Sequence, residues 1–173
     1  MRTIPDPGFA GDDGNVSPEV SSALAEHAAD PEGRRHATLA VLQDSRLLVP
    51  VVAVLGEVEY DEQGLAHDKT SDMATVLMRG RDGRLALLAF TGTESLQRWN
   101  PEARPVPVRA QQAAEAALHD DAAALLVDVA GPTMLVVEGE DLRALAEGYR
   151  LVQTPAGWAW TRFSGSAGAA PAR

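Results

Sequence analysis

The run Arg81-Asp82-Gly83, set between two apolar stretches, does most to limit what this chain can become. Met73–Met78 and Leu85–Phe90 have the composition of strands, and an Asp-Gly pair between such runs supplies the positive φ of a tight hairpin turn. The sequence then passes directly into Thr91-Gly92-Thr93-Glu94. Thr91 and Glu94 have the spacing of a capping box, Leu96 and Trp99 give the new helix an apolar face, and Asn100-Pro101 stops it. A hairpin that runs straight into an amphipathic helix predicts a sheet with helices laid on it. The expected fold is α+β: a single domain with a mixed sheet and helices packed on it.

The flanking sequence fits that plan. Residues 1–17 carry prolines, glycines and aspartates with few large apolar side chains, so they are expected to form a disordered tail. Ser17-Pro18-Glu19-Val20 reads as a helix start, running to Ala29, with a second helix expected over Glu32–Asp44. Leu47–Leu55 is a nearly unbroken apolar run and reads as a buried strand, although Pro50 favours an edge or a bulge. Glu57–Asp72 is an acidic loop, long for a compact domain. Beyond Asn100, Pro105–Val108 reads as an edge strand, Ala110–Leu118 as a helix, Ala123–Val129 and Thr133–Val137 as strands, and Asp141–Glu147 as a last helix closed by Gly148. The main domain is thus expected over residues 18–148, a C-terminal hairpin over 149–163, and a second disordered tail over 164–173.

Composition narrows the function classes. With 173 residues and 45% apolar content, the chain suits one domain with a core of Leu, Val and Ala. A formal net charge of −10 opposes binding to nucleic-acid phosphates. The absence of cysteine removes disulfides, thiolate metal sites and cysteine nucleophiles. No stretch has the apolar length of a spanning helix and the first thirty residues do not resemble a secretory signal, so the expectation is a cytoplasmic protein without membrane contact. Lys69 is the only lysine beside 14 arginines, a usage that resembles the codon bias of a GC-rich bacterial genome.

Candidate chemistry is sparse. His67, Asp68, Ser71 and Asp72 are the residue types of a hydrolase, but a triad needs members that converge from a rigid scaffold, and one short loop rarely provides that. The four histidines are scattered, and no metal motif, phosphate-cradling loop or dinucleotide fingerprint is present, so no catalytic residue, metal or cofactor is assigned. Lys69, Ser71 and the turn Thr91, Gly92, Thr93 are the candidate ligand-binding residues, since their donors suit an anion. Trp158 and Trp160 alternate on a strand-like segment and share one face. They either pack on the domain or form a partner surface.

At Lys69-Thr-Ser-Asp-Met-Ala74, Ala86-Leu-Leu-Ala-Phe-Thr-Gly-Thr-Glu94 and Trp99 the chain resembles the SseB N-terminal domain family. Arg104–Val108, Ala124–Asp128 and Leu135–Gly139 extend the likeness, which covers roughly Glu32 to Gly148. The resemblance implies a bacterial α+β domain and brings no catalytic residues with it. The leading expectation is a non-enzymatic regulatory or protein-interaction module, with an unidentified protein partner or self-association. The alternatives are a sensor of an anionic metabolite and, last, a hydrolase.

Overall fold

The computed structural model describes residues 9–54, 59–60, 66–67 and 72–162. Helix α1 spans Pro18–Ala29, where Ser17 caps the first turn by accepting the Val20 N–H at 3.3 Å. Helix α2, Arg35–Leu42, is shorter than its expected span of Glu32–Asp44. The Asp30 carboxylate captures the Gly33 N–H at 3.0 Å, holding the intervening residues in a turn. In chain order there follow β1 (Arg46–Val54), β2 (Glu59–Tyr60), β3 (Ala66–His67), β4 (Asp72–Thr75), β5 (Leu77–Arg79), β6 (Leu85–Ala89), α3 (Thr93–Trp99), β7 (Arg104–Arg109), α4 (Ala110–His119), β8 (Ala124–Val127), β9 (Leu135–Glu138), α5 (Gly139–Ala146), β10 (Arg150–Thr154) and β11 (Gly157–Thr161). The expected α+β class, with mixed strand directions and helices on the sheet, is the class observed.

Two sheets meet at one bridge. The first has the order β4-β1-β7 and the second β5-β6-β8-β9, with β6 and β8 parallel and the other neighbours antiparallel. They join where Leu48 and Phe90 exchange both backbone hydrogen bonds, at 2.7 and 2.8 Å. From that bridge β1 and β6 diverge. The chain from Asp72 to Arg79 fills the wedge, pairing first with β1 as β4 and then with β6 as β5, and it changes partner at Val76.

Pro50, expected at an edge or a bulge, sits in the middle of this arrangement and not at an edge. β1 is the central strand of its sheet, and Pro50 lies opposite Pro105 in β7. Neither residue has an N–H, so theirs is a non-hydrogen-bonded pair, and alternation makes Leu48 opposite Pro107 another. The nitrogens of Pro105 and Pro107 therefore both point to the outer edge of β7, which has no neighbouring strand among the described residues. Extending the register of β1 with β4 by one residue puts Pro50 opposite Val76. The Val76 carbonyl is taken instead by the Leu88 N–H at 3.3 Å, so no ladder donor is missed.

Helices α1, α2, α4 and α5 supply the larger core on one face of the joined sheets, against residues such as Leu47, Leu87, Leu125 and Val137. In α4 the buried residues are Ala110, Ala113, Ala114 and Ala117, a helical period of small side chains that lets the helix approach the sheet closely. On the opposite face α3 contributes Leu96 and Trp99 to a smaller core with Leu48, Leu88 and Phe90.

Among the described residues the hairpin β10–β11 pairs only with itself, and side chains hold it to the main body. Gln43 acts as a substitute strand: its amide donates to the Leu151 carbonyl at 3.0 Å and accepts the Leu151 N–H at 2.8 Å. At the other end of the chain, residues 9–17 fall within the span read as a disordered tail, yet they make defined contacts. The Arg46 guanidinium pairs with Asp12 at 2.8 Å, and Gly14 accepts two hydrogen bonds from Thr93. Few apolar side chains are needed there, because backbone carbonyls and one ion pair do the anchoring.

Candidate functional site

The strands β6 and β8 are the one parallel pair in the four-stranded sheet, and their carboxyl ends lie side by side, with Ala89 opposite Val127. Crevices beyond the carboxyl ends of parallel strands are where open α/β sheets gather binding groups. Beyond β6 the chain places Thr91 and Gly92 before α3; beyond β8 it places Asp128. Both Thr91 and Asp128 are buried.

Asp128 takes a positive φ of 56°, a left-handed conformation that aspartate tolerates better than most residues. Its N–H extends the parallel ladder by one bond to the Ala89 carbonyl at 2.9 Å. Its carboxylate accepts the Thr91 N–H at 2.9 Å and the Ser95 hydroxyl at 2.7 Å on Oδ1, and the Thr91 hydroxyl at 2.5 Å on Oδ2. Three donors converging on a carboxylate are what make burial of its charge tolerable.

This geometry revises the reading of the turn. Thr91 is not the cap of α3: Gly92 occupies that position, and Glu94 pairs with Arg98 at 2.7 Å. The anion expected at Thr91, Gly92 and Thr93 is the chain's own carboxylate, which takes the Thr91 donors. Thr93 is also spent, since its N–H and hydroxyl both donate to the Gly14 carbonyl, at 2.7 and 3.0 Å. Arg46 completes the node by donating to the Thr91 carbonyl at 2.9 Å and the Asn15 carbonyl at 2.8 Å.

A cleft of about 650 Å³ opens beside this node. One wall is the α1 face of Ser21, Leu24, Ala25 and Ala28; the other is α3 with Glu94, Ser95 and Arg98. Pro132, Thr133, Asn15 and Val16 complete the lining. The Glu94–Arg98 pair stands exposed on α3.

The remaining candidates divide as follows. Lys69 and Ser71 lie outside the described residues, so their expected convergence with the turn is not part of the observed site. Of the hydrolase types, His67 is in β3 and Asp72 in β4, which belong to different sheets. Among the described residues no group of three or more His, Asp or Glu side chains is placed to hold a metal. Trp158 and Trp160 are half-buried and pack against the larger core. Trp158 stacks on His36 with ring centroids 6.5 Å apart, and the Trp160 indole N–H donates to Asp141 at 3.0 Å. Asp141 also pairs with Arg35 at 3.0 Å, so the face the two tryptophans share is engaged within the molecule.

Arg46, Ser95 and Asp128 were not singled out from sequence. Asp128 had a signal: a lone carboxylate at the end of the apolar run Ala123–Val127 must find donors or reach water. Nothing local says that those donors are Thr91 and Ser95.

The model of the SseB protein N-terminal domain matches residues 20–144. That span contains Arg46, the Thr91–Thr93 turn, Ser95 and Asp128; residues 9–17 and the β10–β11 hairpin fall outside it. No curated protein and no solved structure matches the chain.

Proposed function

We propose that this chain, which belongs to the SseB N-terminal domain family, is a non-enzymatic regulatory binding module whose ligand occupies the cleft between α1 and α3. The observation that carries the reading is the engagement of Asp128 by three donors from Thr91 and Ser95. The groups at the base of the cleft are committed to one another, so the recess is stable and shaped. The carboxylate and the hydroxyls bonded to it are engaged as a unit, and Leu24, Ala25, Ala28 and Pro132 give the recess apolar wall. The ligand class follows from the charges. A buried carboxylate lies at the base, Arg98 in the lining is paired with Glu94 on the same helix, and the whole chain carries −10. A small molecule with an apolar body and an uncharged or cationic head fits better than an anionic metabolite. The compartment in this reading is a bacterial cytoplasm, in keeping with the arginine-dominated basic residues.

The test is a small-molecule screen by thermal shift and ligand-observed NMR on the full chain and on Ala25→Phe, which fills the cleft from the exposed face of α1. Neutral or cationic hits lost in Ala25→Phe support the proposal. Hits that are all anionic, or that bind Ala25→Phe equally well, refute it.

A further inference from the structure

Residues 12–16 are seated on the domain much as a bound peptide would be. Most of their anchoring is to backbone: the Gly14 carbonyl on Thr93, and the Asn15 carbonyl on Arg46. Two features go beyond generic backbone recognition. The Asp12 carboxylate pairs with Arg46, whose side chain is only 11% exposed. Gly14 has φ +77°, and a Cβ there would lie well inside van der Waals contact distance of the Thr93 hydroxyl oxygen. The receptor surface is matched in turn, because a Cβ on Gly92 would meet the Val16 nitrogen at 3.0 Å. Gly92 therefore lets the two backbones lie directly against each other, and Gly14 lets the strap pass the Thr93 side chain.

We propose that Arg46 and the Thr91–Thr93 turn form a docking site for an extended acidic segment of the pattern Asp-x-Gly, and that the chain's own Asp12-Asp13-Gly14 occupies it in cis. Arg46 selects the carboxylate. The positive φ and the close contact at Thr93 together favour glycine two residues later. The partner that fits is a protein segment with that pattern, and it binds by displacing the N-terminal strap, so the strap lowers the apparent affinity by the fraction of time it is seated. Asn15 and Val16 also line the neighbouring cleft, so displacement changes that part of its wall. The inference does not depend on what the cleft binds.

The test uses the full chain and a fluorescent synthetic peptide with the sequence of residues 11–17. Asp12→Ala and Gly14→Ala each loosen the strap while leaving the receptor intact. Both variants should bind the peptide at least about tenfold more tightly than the unmodified chain does. Peptides carrying alanine in place of the aspartate matching Asp12, or of the glycine matching Gly14, should not bind, and Arg46→Gln in the receptor should abolish binding. Equal affinity of the unmodified and strap-loosened chains, equal binding of the altered peptides, or no binding to either variant overturns the proposal. Circular dichroism of each variant confirms that the domain is folded when the peptide is added.

Discussion

Thr91 gives both its backbone N–H and its hydroxyl to a single carboxylate, that of Asp128, at 2.9 and 2.5 Å. The pair ties the carboxyl end of β6 to that of β8 and sets the start of α3. Removing the carboxylate strands two buried donors of Thr91. Asp128→Ala should therefore cost roughly 3 kcal/mol, and Asp128→Asn, which keeps an acceptor and tolerates the left-handed backbone, about half as much. Urea unfolding of the two variants checks the order; equal losses would show that a neutral acceptor at this position does not satisfy the Thr91 donors.

Gly92 tests the contact between the strap and the turn. Its φ of −153° is accessible to any residue, so Gly92→Ala strains no backbone there. The added methyl group presses on the Val16 nitrogen, and the expected outcome is a lifted strap on an otherwise intact domain. Amide exchange at residues 12–16 should quicken by about tenfold or more while the β6 and β8 amides keep their protection. Uniform acceleration would mean global destabilisation instead.

The C-terminal hairpin depends on side-chain anchors. Trp160→Phe removes the hydrogen bond to Asp141 and should cost about 1 kcal/mol. Trp158→Ala combined with Trp160→Ala removes the half-buried indoles as well, and should free β10–β11 while leaving the main sheet folded. Proteolysis confined to residues 150–161 is the expected readout. If the double variant captured no less of a binding partner than the unmodified chain while the hairpin stayed attached, the tryptophans would be neither anchors nor a docking face.

The prolines of β7 guard its outer edge. Pro105 and Pro107 remove two outward donors from a strand that has no neighbour on that side among the described residues. Pro105→Thr with Pro107→Thr restores them without disturbing the pairing to β1. Sedimentation velocity should then show concentration-dependent association that the unmodified chain lacks at the same concentration.

The turn at Gly80–Gly83 has a pH signature. The Arg84 guanidinium and then the Arg84 amide, bonded to Asp82 at 2.6 and 3.1 Å, hold the Asp82 carboxyl below its ordinary value. A carboxyl depressed in the folded state adds stability that is fully present above the unfolded value of about 3.9 and is lost as pH falls through the lower folded value. NMR titration of Asp82 should give a midpoint below that ordinary value, and Arg84→Ala should move it up. A midpoint that Arg84→Ala leaves unchanged would contradict the pairing.

These features differ in how far sequence alone could reach them. Ser17 and Pro18 mark the start of α1, and Asp82-Gly83 marks the β5–β6 turn, because each signal lies within a few residues of its effect. Pro105 and Pro107 are equally legible, since the spacing of two sends both nitrogens to the same side. Pro50 misled for a physical reason: a missing donor is tolerated inside a sheet where the facing carbonyl has another partner, and Leu88 supplies it from another strand. Residues 9–17 misled because hydrophobic content says nothing about backbone carbonyls received by Arg46 and Thr93.

The sequence by itself determined the local elements, the α+β class and the family, all of which depend on short-range periodicity, caps and turns. Only the tertiary structure decided what the Thr91–Thr93 turn is for. Its donors reach Asp128, 37 residues beyond Thr91, and Gly14, 79 residues before Thr93. Capping spacing cannot foresee that, because a hydrogen-bond donor goes to whichever acceptor folding brings within 3 Å.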